Sequence, residues 1–267
     1  MPTIESARSW YPASDPVHGF DHVLRVYRLA EQLAQAEGAD LEIVRAAALL
    51  HDAEGREWRN ERGERLVDGG QRTVDSNQPS THNHQHTAIS DKSSARADAQ
   101  HARPNTPSPI INHQSKINNR LTHHHASSDF GAQVLGAEGW DEARIAAVQH
   151  CIRAHRFRDN QEPPHTLEAK ILFDADKLDA IGAVGVARAI GYAMQAGQPP
   201  YSPPSQQFLE SGELAPGEPH SAYHEYLFKL RHLKDRLYTP SAIRIAEERH
   251  TIMAEFFERL VDEMGGM

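Results

Sequence analysis

The sequence predicts an all-α protein, built as a single irregular helical domain with a long disordered insertion. Apolar residues recur three and four positions apart over several segments, which is typical of amphipathic helices. No segment shows the alternation of a half-buried strand, and neither a glycine-rich phosphate loop nor a GxSxG turn is present. Helical and strand periods are both lost at about 60–122, where Ser, Thr, Asn, Gln, His and Pro dominate. We therefore expect one domain over 1–267, interrupted at about 60–122.

Composition limits the classes of function. The chain has 267 residues and a formal net charge of −9, whereas a nucleic-acid-binding surface needs an excess of Lys and Arg. The single cysteine, Cys151, excludes an internal disulfide framework. No apolar run is long enough to span a bilayer, and the N-terminus lacks the basic and apolar regions of a secretory signal. We expect a cytoplasmic protein without nucleic-acid or membrane partners; the composition leaves the oligomeric state open.

Two helices are predicted near the N-terminus, at about 19–37 and 41–53. His22 lies at the start of the first helix, beside its apolar stripe. The second helix is rich in Ala and Leu and ends abruptly in His51 and Asp52. A carboxylate at the end of a buried helix is costly unless an imidazole or a cation compensates its charge. We therefore predict that His22, His51 and Asp52 converge on a divalent metal, since these donor types suit Mn, Fe, Ni or Mg.

A distant acidic cluster adds to this pattern. The segment 167–190 has helical spacing around a polar insert that contains Asp174, Asp176, Lys177 and Asp179. Three carboxylates within six residues would repel one another on a buried face. A bound cation or the ammonium group of Lys177 would offset this repulsion.

The order of these residues resembles a known superfamily. A histidine, then a His-Asp doublet, then a distant aspartate are the signature of the HD-domain metal-dependent phosphohydrolases. The chain more narrowly resembles the small YedJ-like HD hydrolases. The matching stretches are FDHVLRVYRLA, AALLHD, IRAHRF, ILFDADKLDAIGAVGVARA and LKDRLYTPSAIRIAEERH, and they cover most of the chain outside about 59–122. The resemblance implies a divalent metal, Mn or Mg, with Asp176 preferred to Asp179 as the ligand that completes His22, His51 and Asp52.

The resemblance also implies further site residues. An acidic residue shortly after the doublet acts on the attacking water in several HD hydrolases, which makes Glu54 the candidate general base. Additional histidines in related phosphodiesterases bind a second metal, so His155 and either His124 or His125 are candidates for a second metal or for phosphate. The alternative to a ligand role is that the histidines at 123–125 form the solvent-exposed start of a helix. Lys177 and Arg25 are further candidates for phosphate contacts, and Asp179 could instead orient a histidine.

The rest of the chain is predicted to be helical around one long connection. Asp40 and Asp141 are expected to be N-caps. The predicted segments are helices at about 123–136, 141–155, 221–238 and 240–264, and a Pro- and Gly-rich connection at 195–220.

We interpret the chain as a metal-dependent phosphohydrolase that cleaves a phosphoester or phosphoanhydride bond of a nucleotide-like small molecule by means of metal-activated water. The expected partner is therefore a small phosphorylated substrate. Two alternatives remain. One is a non-catalytic HD module that senses a nucleotide, for which an intact four-ligand signature would be unnecessary. The other is an HD-type di-iron oxygenase, which needs six ligands.

Overall fold

The computed structural model describes residues 1–11, 19–53, 113–156 and 162–265, with only the backbone described for 113–123. Every regular element in these ranges is helical and no strand occurs in them, which confirms the predicted all-α class. The elements are α1 (Ile4–Arg8), α2 (Phe20–Glu37), α3 (Leu41–Leu50), α4 (His113–Ala137), α5 (Glu142–Ala154), α6 (Leu167–Asp179), α7 (Gly182–Gln195), α8 (Gln206–Ser211), α9 (Ala222–Phe228), a 3₁₀ helix (Leu230–Arg236) and α10 (Pro240–Gly265). Within the described ranges, no helix is long and apolar enough to cross a membrane.

The chain divides into two units. One contains Met1–Arg56 together with Asn119–Met267, and the other is Glu57–Asn118. The second unit corresponds to most of the predicted insertion, and its described part is the helical backbone from His113. The end of the predicted insertion, 113–122, is helical and not irregular as predicted. A helix that has already formed can extend through polar residues, because each further residue that is fixed gains one hydrogen bond.

The core of the first unit is a set of crossing helices. Helix α2 packs against α3 and α6, α3 packs against α5 and α6, and α10 packs against α6 and α7. Each helix contributes the apolar stripe that its periodicity predicts, with Val23 and Leu33 of α2, Leu50 of α3 and Ile152 of α5 fully buried. Burial of one such side chain contributes roughly 1.5–3 kcal/mol. This packing holds the start of α2 and the end of α3 next to the last turn of α6.

Local caps place the helix ends where the sequence predicts them. The Asp40 side chain accepts hydrogen bonds from the backbone N–H groups of Glu42 and Ile43 at the start of α3. Asp141 accepts one from the N–H of Arg144 at the start of α5. Helix α2 ends at Gly38, whose φ of 76° lies in the left-handed region that favours glycine. Both predicted N-caps are confirmed.

Two predictions near the C-terminus are wrong in detail. The helix predicted for 221–238 stops at Phe228 and continues as the 3₁₀ helix. Leu230 and Leu233 are both buried, and a spacing of three aligns them on one side of a helix with three residues per turn. The connection predicted for 195–220 contains the short helix α8, which buries Phe208.

Candidate metal centre

Three predicted donors meet where α2 begins and α3 ends. His22 lies in the first turn of α2, and His51 and Asp52 follow directly after α3. Their ligand atoms all lie within 4.8 Å of one another. The His22 Nε2 atom is 3.4 Å from His51 Nε2 and 3.7 Å from Asp52 Oδ2, and His51 Nε2 is 3.6 Å from the same oxygen. Donors that share an ion at about 2.0–2.2 Å stand about 3–3.6 Å apart, so this set fits one divalent cation.

Helix α6 brings a fourth predicted donor to this cluster. Asp176 Oδ1 is 3.5 Å from His22 Nε2. The other carboxylate oxygen accepts a hydrogen bond of 2.6 Å from Lys177 Nζ. Burial opposes ionisation of Asp176, but the charges of Lys177 and His22 hold its pKa well below the usual range. The group therefore stays a carboxylate, the form that can bind a cation.

Both histidines of the cluster are oriented by an acceptor behind them. His51 Nδ1 donates to the Ala48 carbonyl at 2.9 Å, and His22 Nδ1 donates to Asp179 Oδ2 at 2.7 Å. A carbonyl or an ionised carboxylate only accepts, so the proton resides on Nδ1 in each ring. This tautomer leaves the Nε2 lone pair of both rings directed to the cluster, as in metal-ligating histidines generally.

The electrostatics also suit cation binding. Burial lowers the pKa of His51 to about 4, although Asp52 acts in the opposite direction, so the ring is neutral at pH 7. Burial also opposes the charge on His22, but its hydrogen bonds to Asp179 and Asp52 outweigh burial and raise its pKa. Metal ligation requires the neutral ring, so cation binding would displace a proton from any protonated His22.

The three aspartates of α6 have three different environments. Asp174 is fully buried and accepts hydrogen bonds from Tyr238 N at 2.9 Å, Thr239 N at 2.8 Å and Thr239 Oγ1 at 2.7 Å, at the start of α10. Asp176 faces the donor cluster, and Asp179 contacts the back of His22. The repulsion expected from the sequence is relieved because each carboxylate has its own donors.

The histidines predicted for a second ion or phosphate are only partly brought together. His155 Nε2 lies 3.6 Å from Asp52 Oδ1, and the centroid of its ring lies 5.2 Å from that of the His51 ring. His124 is buried and lies next to Arg156, with 3.2 Å between Nδ1 and the guanidinium. His125 is exposed, and its ring is tilted by 41° against the His124 ring, with centroids 4.1 Å apart. The structure thus brings His155 next to the cluster and leaves His125 on the surface.

The two predicted phosphate-contacting cations bind groups of the protein. Lys177 is 6% exposed, and its Nζ donates to the His155 carbonyl at 2.8 Å as well as to Asp176. Arg25 donates to both oxygens of Asp179, at 2.6 and 3.1 Å. These two cations therefore hold the side chains and backbone around the donor cluster.

One predicted site residue lies outside the described structure, and one contact of the site was not predicted. Glu54, the candidate general base, lies outside the described residues, and its role stays a prediction. Arg188 was missed by the sequence analysis: its guanidinium donates to Asp179 Oδ2 at 2.6 Å. No local pattern reveals this contact, because it depends on α7 turning back along α6.

A family model described as the HD domain matches residues 19–60, which contain His22 and the His51–Asp52 doublet. This match supports the predicted resemblance of the chain to the HD-domain phosphohydrolase superfamily. The uncharacterized protein YpgQ of Bacillus subtilis is 29% identical to this protein over 270 residues, which cover 98% of this chain and 94% of YpgQ. The crystal structure of YpgQ in complex with ADP has a TM-score of 0.54 and 25% identity, and covers 99% of both chains. An HD-superfamily hydrolase from Bacillus thuringiensis shares the fold, with a TM-score of 0.56, 21% identity and coverage of 99% and 97%.

HD domains bind divalent metals, and the donor cluster of this chain fits such an ion. The three grouped donors are two imidazoles and the Asp52 carboxylate, and Asp176 adds a second carboxylate 3.5 Å from His22 Nε2, without a thiolate among them. Such a mixed nitrogen and oxygen set suits several divalent metals.

Proposed function

We propose that this protein is an HD-superfamily hydrolase that cleaves a phosphoester or phosphoanhydride bond of a nucleotide-like small molecule, using a divalent ion held by His22, His51, Asp52 and Asp176. The observation that carries the proposal is the convergence of these four side chains from α2, the end of α3 and α6. His22 Nε2 lies 3.4–3.7 Å from a donor atom of each of the other three. The catalytic domain in this proposal is the whole chain, 1–267, with an insertion at about 60–122.

The ion and the protein would divide the chemistry. When bound, a divalent cation lowers the pKa of water and offsets charge on phosphoryl oxygens. We favour Mn or Mg because the donor set lacks the thiolates that soft metals prefer. The buried, uncharged His51 and the ionised Asp176 supply the ligand forms that this chemistry needs. Glu54, two residues after Asp52, would accept the proton of the attacking water.

A cavity at the end of α5, lined in part by Ala154 and Arg156 on either side of His155, supports a nucleotide-like substrate. It has a volume of about 250 Å³, and its lining includes Arg156 and Arg236 together with Phe173 and Tyr238. The two aromatic rings meet edge to face, with centroids 5.1 Å apart. Guanidinium groups bind phosphate oxygens, and aromatic rings offer surfaces for a base. The cavity is slightly smaller than typical ligand pockets of roughly 300–1,000 Å³, so it fits part of a nucleotide. The relative YpgQ was crystallised with ADP, which agrees with this substrate class.

The proposal is tested by a screen of nucleotides and simple phosphate esters with Mn, Mg, Co and Ni, measured as release of phosphate or pyrophosphate. We expect turnover by the wild type and a loss of at least about 100-fold, near 2.7 kcal/mol of transition-state stabilisation, for His51→Ala and for Asp52→Ala. Arg28→Met is the matched control, because Arg28 is an exposed side chain on the same helix as His22. Undiminished activity of both site variants would overturn the mechanism.

A second candidate function rests on His155. Its approach to Asp52 Oδ1 places a further imidazole beside the cluster, as a site with two ions would require. An HD-type di-iron oxygenase is the alternative use of such a site. Two iron ions per chain, with an optical spectrum that responds to dioxygen and no phosphate released from any ester, would favour it. A nucleotide that binds but is never hydrolysed, with any of the metals, would instead favour a nucleotide sensor.

A further inference from the structure

Asp179 lies at the centre of a buried charge network behind the donor cluster. It is 1% exposed and accepts hydrogen bonds from one imidazole and two guanidinium groups. Its Oδ2 atom is shared by His22 Nδ1 at 2.7 Å and Arg188 at 2.6 Å, while Arg25 Nε contacts Oδ1 at 2.6 Å. The orientation of the His22 ring therefore depends on how firmly this one carboxylate is held.

The two arginines hold Asp179 in different ways. Arg25 is on α2, the helix of His22 itself, and its side chain is 34% exposed. The Arg188 side chain is 17% exposed, and its NH1 group donates to both the side chain and the backbone carbonyl of Asp179, at 2.6 and 3.2 Å. Because one guanidinium nitrogen contacts both the carboxylate and the backbone carbonyl of Asp179, it restricts the rotamer of the Asp179 side chain. Arg188 also leaves its buried Nε without a hydrogen-bond partner, which is costly for a residue with only a packing role.

The position of Arg188 depends on a tight reversal between α6 and α7. Gly182 has a φ of 76°, and a Cβ there would lie 3.0 Å from the Arg249 side chain. A Cβ on Gly185 would lie 2.3 Å from the Ala180 carbonyl oxygen. The two glycines therefore let α7 fold back closely on α6, so that Arg188 reaches a carboxylate nine residues earlier in the chain.

We propose that Arg188 is a positioning residue of the metal centre, which acts through Asp179 to hold His22 with its Nε2 atom directed to the cation. The proposal rests on the proposed function, because it assumes that His22 is a ligand. The Arg188 guanidinium donates its hydrogen bonds to Asp179, whose Oδ2 atom also accepts from His22, so the positioning effect of Arg188 passes through the Asp179 carboxylate. Arg25 supports the same carboxylate from the more exposed side.

This role can be separated from simple electrostatics by the sign of the effect. Arg188 carries a positive charge near a cation site, so repulsion alone predicts that its removal tightens cation binding, on the order of 10-fold. Loss of positioning predicts the opposite, because the partners that orient a ligating histidine typically contribute about 10- to 100-fold in metal affinity. Weaker binding after removal of a cation is therefore specific to positioning.

The test measures the Mn²⁺ dissociation constant of the full chain by isothermal titration calorimetry, in the absence of substrate. We expect Arg188→Met and Arg188→Gln to weaken binding about 10-fold and Asp179→Asn to weaken it by about 10- to 100-fold. The Arg28→Met control, which removes an exposed cation from α2, should bind as the wild type does. Thermal unfolding followed by circular dichroism identifies any variant that fails to fold. If one of the two Arg188 variants does not fold, Mn²⁺ binding by the other decides the test.

The outcomes distinguish this inference from the proposed function. Unchanged or tighter Mn²⁺ binding by a folded Arg188 variant, with normal binding by the wild type, overturns the positioning role alone. If the wild type itself binds no divalent ion, the proposed metal centre fails, and the positioning role fails with it.

Discussion

Replacement of Asp174 tests whether the three aspartates of α6 have separate roles. The fully buried Asp174 carboxylate accepts two hydrogen bonds from Thr239 and one from the N–H of Tyr238. Asp174→Ala leaves the two Thr239 donors unpaired in a site that is 1% exposed, at roughly 1–3 kcal/mol each. Removal of the buried carboxylate offsets part of this loss in stability, because burial disfavours its charged form and so raises the pKa of Asp174. We expect a net loss of about 3 kcal/mol in the free energy of unfolding, or about 6–12 °C in Tm for a domain of this size.

The assay is urea unfolding of the wild type, Asp174→Ala and Asp174→Asn, followed by circular dichroism. Asn keeps an acceptor oxygen, so Asp174→Asn should lose less stability than Asp174→Ala. Asp21→Ala is the matched control, because Asp21 is an exposed aspartate in the first turn of α2. Folded Asp174→Ala should still bind Mn²⁺ within about threefold of the wild type, a difference below 1 kcal/mol. A stability loss under about 1 kcal/mol, or loss of Mn²⁺ binding in the folded variant, would refute the assigned role.

The remaining predictions concern a metal ligand, a helix contact and an acid-sensitive contact. Asp176→Asn should weaken Mn²⁺ binding by at least about 10-fold in calorimetry because a charged donor is lost, and equal affinity would remove Asp176 from the ligand set. Gly185→Ala should lower stability by about 1–3 kcal/mol in urea unfolding, because the added Cβ meets the Ala180 carbonyl oxygen; an unchanged midpoint would contradict this contact. Hydrogen bonds from Ser205 lower the Glu218 pKa to about 2 from a reference of 4.5, so its stabilisation is complete above pH 4.5 and is lost as the pH falls towards 2. The stability difference between wild type and Glu218→Gln should therefore shrink over that window, and a pH-independent difference would show that Glu218 does not titrate as described.

The sequence was sufficient for the features that depend on local patterns. The bounds of α2 and the start of α3 follow from apolar periodicity and from the caps at Gly38 and Asp40, and the structure confirms them; α3 ends at Leu50, three residues before the predicted end at 53. The sequence indicates His22 as a candidate ligand because it lies beside the apolar stripe at the start of a predicted helix. It indicates the His51–Asp52 doublet because this polar pair ends an apolar helix, and the charge of a buried carboxylate must be compensated by a partner.

Other features depend on residues that are distant in the chain. Asp174, Asp176 and Asp179 look equivalent in the sequence, yet Asp174 is held by residues 64 and 65 positions later. Arg188 could not be found because its contact requires the reversal at Gly182. The break after Phe228 was missed for a similar reason, since the spacing of the buried leucines fits both an α-helix and a 3₁₀ helix. The role of Glu54 remains a prediction.

The central claim is that four side chains from separate parts of the chain hold one catalytic cation. The most direct measurement is a Mn²⁺ titration of metal-free wild type and of His51→Ala, read by calorimetry and by the Mn²⁺ electron paramagnetic resonance signal. The account predicts saturable binding by the wild type, and binding weakened by at least about 10-fold in a His51→Ala variant that remains folded. Equal Mn²⁺ binding by the two proteins would contradict it.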